Sequence, residues 1–285
     1  MVRAQVGSAT AGRRFDAVLF DGAGVDSLDV DRIRQTVASQ GVACIRGVFA
    51  RHTMRALLGR LVDDFDPAND RRHDPRDTEA VRRNFQKLQV GANSGINSRR
   101  TLGRFMRILY NPIFAPDIYG LRDHFVTLAR LRNRLYGLPD THAVAGTDGA
   151  YWTCSRLHQY PAGGGFIVPH RDVYSRLAST ETGLSYFQVM LLLTEKGRDF
   201  HEGGAYVEDD AGLRFTYEDH CLSGDVVVYD GRTVHGVADI DPLAELDLSR
   251  LSGRVAALAS LFRLLRPGAD DYAAMADRAT RAFGV

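Results

Sequence analysis

Residues 160–172 read YPAGGGFIVPHRD, an apolar run that leads from a glycine-rich turn into the triplet His170-Arg171-Asp172. In a β-strand, side chains two positions apart point to the same face, so His170 and Asp172 can reach one ion while Arg171 points away. A second strand-like run further along the chain contains His235. Two imidazoles and one carboxylate suit iron(II), because they hold one octahedral face and leave the other ligand positions exchangeable. The sequence therefore predicts an iron site, and a catalytic centre, at His170, Asp172 and His235.

The triplet by itself is a weak signal. With 9 His and 35 Asp plus Glu among 285 residues, about one His-x-acid match is expected by chance. Taken singly, each side chain could also be structural: a hydrogen-bonded strand-edge histidine, a turn cap or a core imidazole. Zinc is disfavoured because no fourth ligand, thiolate or Glu-activated water motif accompanies the three residues. The interpretation depends on the pattern around them.

That pattern is β-like throughout the second half of the chain. After Gly137, short apolar runs alternate with turn residues such as Gly163-Gly164-Gly165. Short strands without intervening helices predict a sandwich or a jelly roll. The runs cover residues 151–160, 166–170, 187–194, 204–208, 212–216, 225–229, 233–238 and 254–264.

The first half of the chain predicts helices. Asp29 is a candidate N-cap and Gly41 a candidate stop for the first helix, and a strand over 42–48 leads to a second helix. Residues 66–100 lose this pattern and are rich in arginine, which predicts a solvated loop or a flap over a polar ligand. We expect a flexible tail (1–14) followed by one domain (15–285). Its N-terminal portion (15–140) is helical and includes a helix over 116–136. A β core (141–265) and a C-terminal helix (268–285) follow.

Composition narrows the class of partner. A net charge of +1 and a pI near 7.8 give no global attraction to nucleic acid or to an anionic membrane. The 3 cysteines form no disulfide or zinc framework. No secretory signal or apolar run of spanning length occurs. We expect a cytoplasmic protein whose partner is a small molecule; the sequence leaves its oligomeric state open.

A known family matches these segments. The chain resembles the iron(II)- and 2-oxoglutarate-dependent oxygenases, in order and spacing, over residues 160–172, 192–194, 202–204, 224–230 and 233–237. Its N-terminal helix, strand and helix, with residues 42–49, look like the entrance segment of the phytanoyl-hydroxylase-like and related small-molecule branches of that family. The resemblance implies a mainly β fold with flanking helices (α+β) around a double-stranded β-helix, the cupin-like jelly roll. It also implies that iron(II), 2-oxoglutarate and oxygen are the cofactor and cosubstrates.

The resemblance further implies an arginine on the last core strand that binds the distal carboxylate of 2-oxoglutarate. A guanidinium suits this role because it can form two parallel hydrogen bonds with a carboxylate. Arg254 and Arg250 compete, and Arg254 is preferred because it begins the predicted strand while Arg250 lies in the preceding loop. Tyr160 and Gln188 could also contact the cosubstrate, although buried Tyr and Gln equally serve sheet hydrogen bonds.

Substrate contacts are less well defined. Trp152, Arg156 and His158 precede the metal motif and could line a substrate cavity, although Trp152 could equally be a packed core residue. The basic residues Arg99, Arg100 and Arg104 hint at an anionic or highly polar substrate, although charge runs are commonly plain surface.

The function expected from the resemblance is oxidation of an unactivated C–H bond in a small polar molecule of specialised metabolism. Hydroxylation, desaturation or oxidative cyclisation fits, because halogenating relatives replace the carboxylate that Asp172 supplies here. Two alternatives from other classes stay open: a cupin-like metalloenzyme that does not use 2-oxoglutarate, and a β-sandwich binding protein without catalysis, in which both histidines are core residues.

Overall fold

The computed structural model describes residues 15–71, 82–89, 103–148, 151–172 and 187–263. The predicted N-terminal tail, the predicted C-terminal helix, Arg99 and Arg100 lie outside these residues. Within them, none of the helices combines the length and the apolar character needed to cross a membrane.

Helices precede the β core in the part of the chain that the structure describes: α1 (Val30–Gln40), α2 (Arg51–Asp63) and α3 (Arg122–Tyr136). Helix α1 begins after Asp29, whose side chain accepts a hydrogen bond of 3.0 Å from the backbone N–H of Arg32. It ends at Gly41, which has a left-handed φ of 82° that favours glycine. The predicted cap and stop of this helix are confirmed.

Helix α3 begins later than predicted. The carboxylate of Asp117 accepts hydrogen bonds of 3.2 Å from the backbone N–H groups of Leu121 and Arg122. Gly120 has a positive φ of 67°, which turns the chain before the helix can form. The predicted start at residue 116 is therefore wrong. Its predicted buried stripe is confirmed at Leu121, Phe125, Leu128 and Leu131.

The strands, in chain order, are β1 (Leu19–Asp21), β2 (Val42–Arg46), β3 (Asp70–Arg71), β4 (Phe85–Gln89), β5 (Gly103–Arg104), β6 (Met106–Tyr110), β7 (Thr147–Asp148), β8 (Tyr151–Tyr160), β9 (Gly165–His170), β10 (Phe187–Leu192), β11 (Gly204–Glu208), β12 (Arg214–Phe215), β13 (Val226–Asp230), β14 (Val234–Ile240) and β15 (Arg254–Arg263). Each of the predicted β runs overlaps one of the strands from β8 to β15. The run over 212–216 contracts to the two residues of β12.

These strands form a ten-stranded sheet and a five-stranded sheet. In the larger sheet the core strands lie in the order β13-β10-β15-β8, and in the smaller sheet in the order β12-β11-β14-β9. Apart from the β11–β12 pair, consecutive core strands lie in opposite sheets. This is the topology of a jelly roll, or double-stranded β-helix, and it confirms the predicted fold class.

Two apolar clusters stabilise this arrangement. One joins the helices to the outer face of the larger sheet, where Phe125 and Leu128 of α3 belong to the same cluster as Leu191 and Ala257. The other fills the space between the two sheets and includes Met190 and Leu258. The inner cluster therefore forms the apolar wall around any site that lies inside the jelly roll.

The predicted loop over 66–100 contains two strands, β3 and β4, that the sequence did not predict. Strand β4 pairs antiparallel with β6, and β6 pairs antiparallel with β8, so both extend the larger sheet beyond its core strands. Gln86 and Lys87 are buried polar residues in β4, and they break the apolar alternation by which strands are recognised. The prediction of a loop is therefore wrong for residues 70–71 and 85–89.

Candidate metal centre

The three predicted ligands come together inside the jelly roll. His170, the last residue of β9, lies directly opposite His235 of β14 in the antiparallel register. Asp172 follows two residues later, where its backbone N–H donates a hydrogen bond of 2.7 Å to the carbonyl of Gly231. Asp172 Oδ1 lies 3.8 Å from Nε2 of each histidine, and one ligand atom from each residue lies within 4.8 Å of the others. This spacing is compatible with one shared ion.

Both imidazoles are oriented by backbone carbonyls. His170 Nδ1 lies 2.8 Å from the carbonyl oxygen of Val168, and His235 Nδ1 lies 2.8 Å from that of Thr233. A carbonyl only accepts, so each Nδ1 carries the proton and each Nε2 presents its lone pair. Metal-ligating histidines commonly show this arrangement, in which an outer partner fixes the tautomer.

His235 is electrostatically suited to bind a cation. Burial, followed by repulsion from His170, lowers the pKa of His235 to about 4, and the charge of Asp172 partly opposes this shift. The imidazole is therefore neutral at neutral pH. Metal binding requires this form, because the ligand nitrogen must be deprotonated.

A chain of hydrogen bonds holds the carboxylate. Gln188 Nε2 donates a hydrogen bond of 2.9 Å to Asp172 Oδ2, and Gln188 Oε1 accepts a hydrogen bond of 2.7 Å from the hydroxyl of Ser260. Ser260 Oγ in turn accepts a hydrogen bond of 3.1 Å from Nη1 of Arg156. The chain ends on Oδ2, whereas Oδ1 is the oxygen that faces both imidazoles. Gln188, predicted as a cosubstrate contact, is thus bonded to a candidate metal ligand.

The candidate centre lies in a cavity of about 90 Å³. Of the residues singled out from the sequence, those that line the cavity together with the three candidate ligands are Arg156, His158, Tyr160, Gln188 and Arg254. Burial raises the pKa of the Tyr160 and Tyr229 hydroxyls above the usual value, so both stay protonated. Tyr229 also lines the cavity, with its ring centroid 4.6 Å from that of His235.

Arg254 is a buried arginine with an internal partner. It lies opposite Tyr160 in the register of β15 and β8 and is 2% exposed. Arg254 Nε and Nη2 lie 2.8 Å and 2.6 Å from Glu218 Oε1. Glu218 Oε2 also accepts 2.8 Å from the backbone N–H of Ala205. Arg250, the competing candidate, is exposed in the preceding loop.

Glu218 was not identified from the sequence. It lies in a short 3-10 turn, Tyr217–Asp219, and is 4% exposed. Among 35 acidic residues nothing in its local sequence distinguishes it, and its role depends on a contact with a strand that begins 36 positions later.

The residues predicted to contact substrate lie in different environments. Arg156 Nε donates 2.9 Å to His158 Nε2, and burial, followed by repulsion from Arg156, holds the pKa of His158 well below its usual value. Trp152 packs in the inner cluster edge-to-face with Phe262 and lies outside the cavity wall. Arg104, on the edge strand β5, also lies outside that wall, half-exposed and 3.9 Å from Asp239.

Comparisons with known proteins leave the function open. No protein-family model matches the chain, and no curated protein matches its sequence. Solved structures match it over most of its length, among them a prolyl-4-hydroxylase from Pseudomonas putida (14% identity, TM-score 0.48, 82% of this chain and 98% of that chain). An oxidoreductase of the 2OG-Fe(II) oxygenase family from Burkholderia pseudomallei has 13% identity and a TM-score of 0.43, over 86% of this chain and 93% of that one. The α-ketoglutarate-dependent epimerase SnoN from nogalamycin biosynthesis has 14% identity and a TM-score of 0.47, over 82% of each chain. These values are too low to transfer an activity.

Proposed function

We propose that this protein is a mononuclear iron(II) oxygenase that uses 2-oxoglutarate and oxygen. The observation that carries the proposal is the approach of His170 Nε2, His235 Nε2 and Asp172 Oδ1 to one point in the wall of an internal cavity. Two neutral nitrogen donors and one carboxylate on one side of an ion leave its other positions for exchangeable ligands. Among the described residues, no other acidic, cysteine or histidine side chain joins this cluster, which disfavours a closed zinc site.

Arg254 is the proposed contact for the distal carboxylate of 2-oxoglutarate. It is buried in the same cavity as the three candidate ligands, and its Nη1 makes no hydrogen bond with a described residue. Glu218 occupies the Nε and Nη2 edge, so the cosubstrate would receive one charge-assisted hydrogen bond from Nη1 in place of the usual two. The protonated hydroxyl of Tyr160 is available as a second donor.

Bound iron and 2-oxoglutarate would supply the oxidising chemistry. The side chains of this protein would then bind, orient and exclude water: His170, Asp172 and His235 hold the ion, and Gln188 fixes the carboxylate. Buried apolar side chains such as Met190 and Leu258 line the cavity wall between these polar groups. The proposed reaction is hydroxylation, desaturation or oxidative cyclisation of a C–H bond in a small polar molecule, in specialised metabolism and in the cytoplasm.

One observation favours the alternative of a cupin-like metalloenzyme. The Arg254–Glu218 ion pair already satisfies most of the charge on the guanidinium, so Arg254 could serve the fold instead of a cosubstrate. In that case metal binds at the same three residues, but 2-oxoglutarate does not bind beside it.

An anaerobic titration followed by visible absorption distinguishes these functions. For the oxygenase, iron(II) binds and 2-oxoglutarate then produces the charge-transfer band of a chelated complex. Iron binding without that band supports the cupin-like enzyme, and absence of iron binding supports a binding protein. His235→Ala must abolish the band. Arg254→Gln, made together with Glu218→Gln so that no buried carboxylate loses its partner, must weaken 2-oxoglutarate binding, whereas Arg250→Gln must not.

A further inference from the structure

One buried lysine lies outside the residues that line the candidate site. Lys87 and Lys196 are the lysines among 36 basic residues, so lysine is rare in this chain. Lys196 forms an ion pair of 2.5 Å with Asp219 near the surface. Lys87 lies in β4 and is 8% exposed. The two lysines therefore occupy opposite environments.

The ammonium of Lys87 has no counter-charge among the residues that the structure describes. Its Nζ lies 5.9 Å from the ring centroid of Tyr110, and it makes no hydrogen bond or ion pair with any residue in the described ranges. Burial, followed by repulsion from Arg156, lowers the pKa of Lys87 to about 8. At neutral pH most molecules consequently hold two positive charges near each other inside the protein.

Lys87 faces the same interior as the cavity. It pairs with Ile108 of β6, and Ile108 pairs with His158 of β8. Residues directly opposite in antiparallel strands point to the same face, and His158 lines the cavity. Two positions further along β6, and therefore on the same face, Tyr110 lies opposite Arg156, which also lines the cavity. Two strand spacings separate β4 from β8, which places Lys87 on this inner face about 10 Å from the cavity wall formed by β8.

A purely structural role accounts poorly for this placement. A buried ammonium without a partner is costly, and a single cation–π contact with Tyr110 compensates only part of that cost. A neutral side chain of the same length, such as Met, would fill the space without the cost of desolvation. Ionisable groups whose pKa values are strongly shifted by burial cluster at functional sites.

We propose that Lys87, with Arg156 beside it, binds an anionic group, a carboxylate or a phosphate, of a small molecule that extends from the candidate metal centre toward β4. The inference rests on the proposed function only in that it identifies this molecule as the substrate. The metal would hold one end of 2-oxoglutarate and Arg254 the other, so neither carboxylate of the cosubstrate is needed at Lys87. The proposed substrate class is therefore small organic anions.

The scarcity of lysine allows a direct test. Protein labelled biosynthetically with ¹³C,¹⁵N-lysine gives separate side-chain NMR signals for Lys87 and Lys196. Sodium phosphate and sodium acetate are titrated in, against sodium chloride at equal ionic strength. We expect a saturable shift of the Lys87 signal and a rise in its pKa with at least one of the two anions, with no saturable change at Lys196. The phosphate and acetate arms identify which anion is preferred. If neither anion changes the Lys87 signal more than chloride does, the proposal is wrong.

Two matched variants separate binding from folding. Lys87→Met should fold with an unchanged or higher melting temperature and should lose the thermal stabilisation that the preferred anion gives the native protein. Lys196→Met should keep that stabilisation. Arg156→Gln should weaken the anion about 10-fold, because a hydrogen bond to a charged group is lost. A marked loss of stability in Lys87→Met, with the anion response retained, would show that the lysine is structural.

These measurements use neither iron nor 2-oxoglutarate. If anions bind at Lys87 but the separate anaerobic titration gives no iron complex, the oxygenase proposal is wrong and the anion-site proposal stands. An iron and 2-oxoglutarate complex without anion binding at Lys87 would do the reverse.

Discussion

Gln188 Nε2 donates a hydrogen bond of 2.9 Å to Oδ2 of Asp172 and leaves Oδ1 directed at the two imidazoles. Gln188 is itself held by Ser260. The carboxylate is thus oriented before an ion binds, because its side chain loses its conformational entropy when the protein folds.

Removing this orientation should weaken metal binding. We expect Gln188→Leu to raise the dissociation constant for iron(II) about 10- to 100-fold, the usual effect of losing a partner that orients a metal ligand. Anaerobic isothermal titration calorimetry measures it, and Gln35→Leu on the exposed face of α1 serves as the control. Equal iron affinity in Gln188→Leu and the native protein would contradict this role.

Breaking the Arg254–Glu218 pair should have two opposite effects. Glu218→Gln leaves a buried guanidinium without a counter-charge, and we expect the free energy of unfolding to fall by about 3–5 kcal/mol. The same change frees the Nε and Nη2 edge of Arg254, so 2-oxoglutarate should bind more tightly and should raise the melting temperature more than in the native protein. Chemical denaturation and thermal unfolding with and without 2-oxoglutarate measure both effects. Unchanged 2-oxoglutarate affinity would indicate that Arg254 does not contact the cosubstrate.

Lys87 should make stability depend on pH in a defined window. Its pKa is about 8 in the folded protein, below the value of about 10.4 in an unfolded chain, so between these values the unfolded chain binds more protons. The contribution of Lys87 to the free energy of unfolding should therefore rise by about 1 kcal/mol per pH unit between pH 8.5 and 10. Buried tyrosines and cysteines also titrate at high pH, so the quantity to measure is the difference between the native protein and Lys87→Met. A difference that stays constant with pH would contradict the lowered pKa.

Much of the β core could be predicted because its physical signals are local. Short apolar runs such as those of β10 and β13, and the glycine turn before β9, identify strands without reference to the rest of the chain. The separation of Asp172 from His235 along the chain was interpreted from the resemblance to a known family and not from a local signal. Helix α3 was predicted with the correct buried stripe, and only its start was wrong, since the turn held by Asp117 is difficult to infer from sequence.

The missed features depend on contacts between distant segments. Strand β4 carries Gln86 and Lys87 on buried positions, so its sequence resembles a loop until β6 pairs with it. Glu218 contacts Arg254 of β15, and Ser260 contacts Gln188 of β10. Both contacts join distant segments, so no local sequence pattern predicts them. Arg254 was preferred over Arg250 because it lies in the strand, and the structure puts it in the cavity while Arg250 stays exposed.

Replacing the carboxylate itself tests which metal chemistry the site supports. Asp172→Gly removes the oxygen that lies 3.8 Å from both imidazoles, so two nitrogen donors remain. We expect iron(II) affinity to fall at least 10-fold, and Asp172→Glu to retain more affinity than Asp172→Gly because a carboxylate is still present. Calorimetric titration compares the three proteins. Full affinity in Asp172→Gly would exclude Asp172 as a ligand.

The central claim is that His170, Asp172 and His235 share one ferrous ion. Crystals grown anaerobically with iron(II) and 2-oxoglutarate, measured at the iron absorption edge, test it most directly. We expect one anomalous peak within about 2.3 Å of Nε2 of both histidines and of Asp172 Oδ1. A peak elsewhere, or full iron occupancy in a His235→Ala crystal at the same position, would contradict it.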